Sequence, residues 1–144
     1  MDGKLLAYMI AALAGMAMAV QGSMNSALSK SIGLAKTTLI VHIVGTIGAA
    51  FFVFFSKEKG SFFQGPWYYY LGGLIGVVIV YAVAFAMPKG GVAAATTAIV
   101  AAQLLTAGII DRLGIFNLAK TPFSWQTILG AVFIIVGAWL VLKE

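Results

Sequence analysis

Residues 37–55, TTLIVHIVGTIGAAFFVFF, decide the fold. The run holds one histidine and no Lys, Arg, Asp or Glu, while Lys36 and Lys57 stand just outside it. As a helix rising about 1.5 Å per residue it is roughly 28 Å long, close to the ~30 Å hydrocarbon thickness of a bilayer. A helix on the surface of a soluble domain keeps a polar face, and this run has none. The stretch is therefore predicted to cross a membrane.

Four further runs of the same kind flank it. The first covers residues 5–29, ending in the polar Gln21, Asn25 and Ser29; the others cover 67–87, 92–110 and 124–142. Ala17-Met18-Ala19 resembles a signal-peptidase site, but Lys4 alone is a minimal charged leader. Small residues at Ala11, Gly15 and Ala19 recur every fourth position, as in a helix packed closely on its neighbours, so this run too is read as a span. Trp67-Tyr68-Tyr69-Tyr70 forms an interfacial aromatic belt, and Trp125 and Trp139 mark the two ends of the last span. Gly15, Gly45, Gly48, Gly72 and Gly76 are the expected close-packing positions. Pro88-Lys89-Gly90-Gly91 signals a tight hairpin, and Lys57-Glu58-Lys59-Gly60 and residues 111–122 are expected loops.

Composition agrees. Of the 144 residues, 62% are hydrophobic and 9% charged, with a mean hydropathy of +1.04, against about 25% charged in a soluble domain. The chain is expected to be one all-α membrane domain with five transmembrane helices. The net charge of +5 comes from Lys and Arg scattered at the ends of apolar runs, which speaks against a nucleic-acid partner. With no cysteine, one histidine and no paired carboxylates, there is no credible metal cluster, nucleophilic triad or acid–base pair. Gly90-Gly91 lacks a following Lys-Ser/Thr, so no phosphate-binding loop is present. Neither an enzyme nor a tightly held cofactor is expected.

Polar groups inside spans cost free energy unless partnered, which makes them the functional candidates. Gln21 and Asn25, four apart, share one helix face, and Gln21 falls roughly 6 Å from the midplane on the side away from the amino terminus. By the same arithmetic His42 lies at about that depth. These three line a cavity or fasten helices to one another. Gln103, mid-way along the fourth span among small residues, has the same two readings. Asp111 ends that span, where the helix dipole disfavours a carboxylate, so it needs compensation from Arg112, another cation or a helix break at Gly114. It serves as an interfacial cap paired with Arg112, or as a gate.

Five crossings place the termini on opposite sides. The amino-terminal side then carries Lys4, Lys57, Lys59, Arg112 and Lys120, and the other side Lys30, Lys36, Lys89 and Lys143. So even a distribution gives little orientation signal, and a chain that inserts both ways forms an antiparallel pair with itself. A fixed orientation set by other features is the alternative.

Gln21-Gly22-Ser23-Met24-Asn25, Gln103, Ile110-Asp111-Arg112-Leu113-Gly114-Ile115-Phe116, and Thr127-Ile128-Leu129-Gly130 leading into Gly137 carry a family resemblance. The chain resembles the small bacterial YdcZ-like inner-membrane proteins, grouped with the drug/metabolite transporter superfamily, over essentially its whole length. Leu113 stands where that family often has Phe. The resemblance implies half of a ten-helix inverted-repeat fold in the bacterial cytoplasmic membrane, completed by a second inverted copy or an inverted paralogue. It implies secondary transport of a small organic solute by alternating access. By it, Gln21, Asn25, His42 and Gln103 belong to the substrate cavity, and Asp111 with Arg112 to a gate or interface. A small ion channel and a non-transporting accessory subunit are the rival functions; a channel would need a continuous polar path.

Overall fold

The computed structural model describes residues 3–58, 60–118, 120–122 and 124–143. Lys59, counted above on the amino-terminal side, and Ala119, in the expected 111–122 loop, lie outside the described residues. The described chain is helical, with five helices long and apolar enough to cross a membrane: α1 (Gly3–Ile32), α2 (Leu34–Phe55), α3 (Leu71–Gly90), α4 (Val92–Leu113) and α5 (Trp125–Leu142). It divides into two compact units, Met1–Lys89 and Gly90–Glu144.

In the first unit, α1 and α2 pack against each other and are separated by a single residue. Gly33 donates its N–H to Ser29 O (2.9 Å) and accepts from Thr37 N–H (3.1 Å), so it closes one helix and opens the next. Its backbone, at φ 85° and ψ 157°, lies in a region essentially restricted to glycine. Lys30 sits in the last turn of α1, where a cation complements the helix dipole. The helix therefore continues where the lysine pair 30 and 36 had marked a longer connection. α3 enters through a 3-10 turn, Trp67–Tyr70, whose Tyr70 hydroxyl donates to Gln64 O (2.9 Å). At its other end, where the sequence signals a tight hairpin, α3 runs on to Gly90 and Gly91 alone separates it in the chain from α4. Pro88 lies inside the helix, the third residue from its end, where it forgoes a bond to the carbonyl one turn back, and Lys89 Nζ lies 3.5 Å from the centre of the Phe85 ring.

The second unit repeats the device. Gly91, at φ 80° and ψ 157°, precedes α4 and accepts from Ala95 N–H (3.1 Å). α4 ends at Gly114, which is left-handed at φ 63° and donates to Ile110 O (2.8 Å); this is the expected break after Asp111. The returning strand of chain is tied down by Thr121 N–H on Asp111 O (3.0 Å). Ser124 caps α5 by accepting from Thr127 N–H (3.1 Å), and α5 runs back along α4.

The first unit's interior inverts the rule for soluble domains. Its buried described residues are Gly22, Asn25, Ser26, Thr37, Thr38, Ala84 and Met87, four of them polar, while the large aliphatic and aromatic side chains are mostly exposed. In a bilayer this arrangement is favourable, because lipid covers the apolar faces and small or polar residues mediate close helix contact.

Candidate functional site

The polar level of the first unit is built on α1 and α2. Hydroxyls on both helices return their hydrogens to the preceding turn: Ser23 to Ala19 O (2.9 Å), Ser29 to Ser26 O (2.8 Å), and Thr38 to Leu34 O (2.9 Å). Thr37 does not. It is completely buried, and its Oγ1 has no hydrogen-bond partner. Asn25 is 6% exposed and its amide makes no hydrogen bond either. An unsatisfied buried polar group costs about 1–3 kcal/mol, which makes the Thr37 hydroxyl, with the mostly buried Asn25 in the same unit, the polar feature of this interior that most needs explaining.

His42 lies further along α2. Its Nδ1 is 2.7 Å from Thr38 O, and because a carbonyl only accepts, that nitrogen carries the hydrogen. In the neutral ring Nε2 is then the acceptor. It faces α3 at Gly76, 3.8 Å from where a Cβ would stand, an ordinary van der Waals separation. Thr46 Oγ1 donates to His42 O (2.8 Å), continuing the line of polar contacts along α2.

Gln21 and Asn25 share a broad face, yet they are placed differently. Asn25 is inside and Gln21 is exposed, with no hydrogen bond. Gly22, beside Gln21, seats against Val83 and Met87, whereas His42 seats against Gly76. Val83 is seven residues beyond Gly76 on α3, about 10 Å along its axis, and no bond joins His42 to either amide. Of the glycines expected to pack, Gly76 makes a contact, while a Cβ at Gly15, Gly45, Gly48 or Gly72 meets nothing within 4 Å.

In the second unit, Gln103 stands at the middle of α4, exposed and without a hydrogen bond. Asp111 and Arg112 occupy the last turn, both exposed. The Asp111 carboxylate makes no hydrogen bond or ion pair among the described residues. It borders a groove between α4 and α5, beside Thr127 in the first turn of α5. Proximity to that helix start supplies part of the compensation a carboxylate at a helix C-terminus needs.

Sequence reasoning passed over Thr37, Thr38 and Ser26, and also Thr96, whose Oγ1 is likewise buried and unpartnered. One signal was available: Thr37 and Thr96 each stand about one turn beyond a glycine helix break, Gly33 and Gly91.

Residues 6–140 match the family model described as "Putative inner membrane exporter, YdcZ". The chain belongs to this family. The match takes in nearly all of the five membrane-length helices and every candidate site residue, and makes this YdcZ-family chain a multi-pass inner-membrane protein. No curated protein and no solved structure matches the chain.

Proposed function

We propose that the chain is a secondary exporter of a small organic solute, working as a pair of copies inserted in opposite orientations with alternating access between them. The family's description as an inner-membrane exporter supports transport. One observation carries the pairing: Gln103, at the centre of a membrane-length helix, is exposed and unbonded. A carboxamide facing hydrocarbon is unfavourable, whereas a second copy offers it a partner. In an inverted pair related by a two-fold axis in the membrane plane, a mid-depth residue keeps its depth in the second copy and meets its own counterpart where the axis passes beside it, as proposed for Gln103. The open glycine faces at positions 15, 45, 48 and 72 leave room for close approach of another chain. Together such copies form the ten-helix, inverted-repeat arrangement of the drug/metabolite transporter superfamily. Gln21, Asn25, His42 and Gln103 are the proposed solute-contacting groups, and Asp111 and Arg112 the gate or interface.

Cysteine cross-linking in membranes tests the pairing, since the natural chain has no cysteine. Gln103→Cys alone is expected to form a disulfide-linked dimer. Ile99→Cys and Ala107→Cys, one turn to either side, are expected to link when co-expressed and not singly. Efficient linking of each single variant to itself at all three depths would indicate a parallel pair and overturn the inverted arrangement.

A further inference from the structure

Within the second unit, the groove between α4 and α5 is open on one side and holds about 280 Å³. Ala107, Gly108 and Ala131 keep the seam open, Leu104 and Ile135 lie at its far end, and Asp111 stands at its near end. From Leu104 to Asp111 is about 10 Å along α4. Everything along that length is aliphatic or small, apart from the Thr127 hydroxyl and the Asp111 carboxylate. The Thr127 hydroxyl already bonds Ser124 Oγ (2.9 Å). The carboxylate is unpaired, and it is the sole carboxylate among the described residues of this unit. Arg112 and Lys120 are close in the chain but do not line the groove; the Lys120 side chain packs over Gly114.

We propose that this groove binds an amphipathic amine, its hydrocarbon body along Ala107, Gly108 and Ala131 and its ammonium on Asp111, and that such amines are the class of solute exported. The second half rests on the exporter reading above. Each part of the ligand follows from complementarity. A neutral hydrocarbon would fill the seam and leave the carboxylate unpaired, a carboxylate-headed amphiphile would be repelled, and a compact hydrophilic cation would leave the apolar wall uncovered. The groove's 280 Å³ suits one short alkyl chain ending at a single carboxylate, so the occupant proposed is a small free amine rather than a lipid headgroup.

Binding of octylamine, octanol and octanoate to the purified protein in nanodiscs, measured by equilibrium dialysis against empty nanodiscs, tests the site. Octylamine is expected to bind saturably, octanol at least tenfold more weakly, and octanoate not above partition into empty discs. Asp111→Asn, an exposed and nearly isosteric change, is expected to weaken octylamine about tenfold, to the octanol level, while Asp111→Glu retains binding. Ala131→Phe, which fills the seam, is expected to abolish both. Unchanged octylamine binding by Asp111→Asn, or displacement of octylamine by phosphatidylethanolamine, would overturn the proposal.

Flux separates this proposal from the reading beneath it. Octyltrimethylammonium, a permanent cation that cannot cross as a neutral amine, is expected to move across proteoliposomes carrying the natural protein and not those carrying Asp111→Asn. Saturable binding without flux would overturn export of this class while leaving the groove assigned. Flux of some other solute with no amine binding would overturn the groove while leaving export standing.

Discussion

Replacing Gly33 with alanine is expected to destabilise the first unit by about 1–3 kcal/mol, enough to lower the amount of folded protein in the membrane several-fold. The cause is purely conformational. A Cβ at Gly33 meets nothing within 4 Å, so no steric neighbour is involved, but φ 85° with ψ 157° is accessible essentially to glycine alone. Two backbone hydrogen bonds hold the residue there, Gly33 N–H on Ser29 O and Thr37 N–H on Gly33 O, and relaxing the dihedral means giving up at least one of them near the buried Thr37. Asparagine, which tolerates the ordinary left-handed region, is expected to fare no better, because that region has ψ near 45° rather than 157°. Gly91, at φ 80° and ψ 157° with equally open surroundings, is expected to respond in the same way. Denaturation in mixed micelles, followed by circular dichroism, checks both. A Gly33→Ala chain as stable as the natural one would mean that the turn is not held as described.

Gly22 is expected to show the largest packing effect. A Cβ there stands 2.6 Å from Met87 Cε and 3.0 Å from both Met87 Sδ and Val83 Cγ1, so the Met87 and Val83 side chains of α3 pack directly onto the α1 backbone at this point. Alanine requires the end of the Met87 side chain to move, and Met87 is only 3% exposed, which leaves it little space. Methionine is the most adaptable of the large apolar side chains, so the loss for Gly22→Ala is expected to be at the low end of overpacking, about 1 kcal/mol. Leucine must separate the helices and is expected to cost about 3 kcal/mol or more. In a double-mutant cycle Gly22→Ala should cost less in a Met87→Ala background than in the natural chain, because the side chain that resists the added methyl is gone. The same denaturation measurement decides it, and absence of that coupling would remove the contact between Gly22 and Met87 from the description.

Spans were legible because their signal is cumulative: a charge-free run of membrane length has few other readings, and all five runs became helices. Helix ends were less legible. Lys30, Lys36 and Pro88 look like termini in one dimension, yet a cation is favourable in a last turn and α3 runs on past its proline to Gly90, so at these two junctions Gly33 and Gly91 alone separate the helices. Glycines were hard to rank for a different reason. Spacing identifies small residues, but not which face has a neighbour, and Gly22 packs closely while a Cβ at Gly15, Gly45, Gly48 or Gly72 meets nothing within 4 Å. Periodicity placed Gln21 and Asn25 on one broad face. It could not place the edge of contact that runs between them, leaving Asn25 inside and Gln21 outside. Thr37 and Thr38 read as the flank of a span, and their burial depends on how tightly α2 turns back along α1. Asp111 was recognised by its chemistry; the groove it borders exists only once α5 lies alongside α4.

Orientation is where the account is most directly exposed. Single cysteines placed at Gly3 and after Glu144, in separate versions of this cysteine-free chain, are labelled with a membrane-impermeant reagent from one side of intact cells. The inverted-pair exporter predicts partial labelling at both termini, because each terminus lies outside in part of the population. Complete labelling at one terminus and none at the other would contradict it, leaving a parallel assembly or an inverted partner chain.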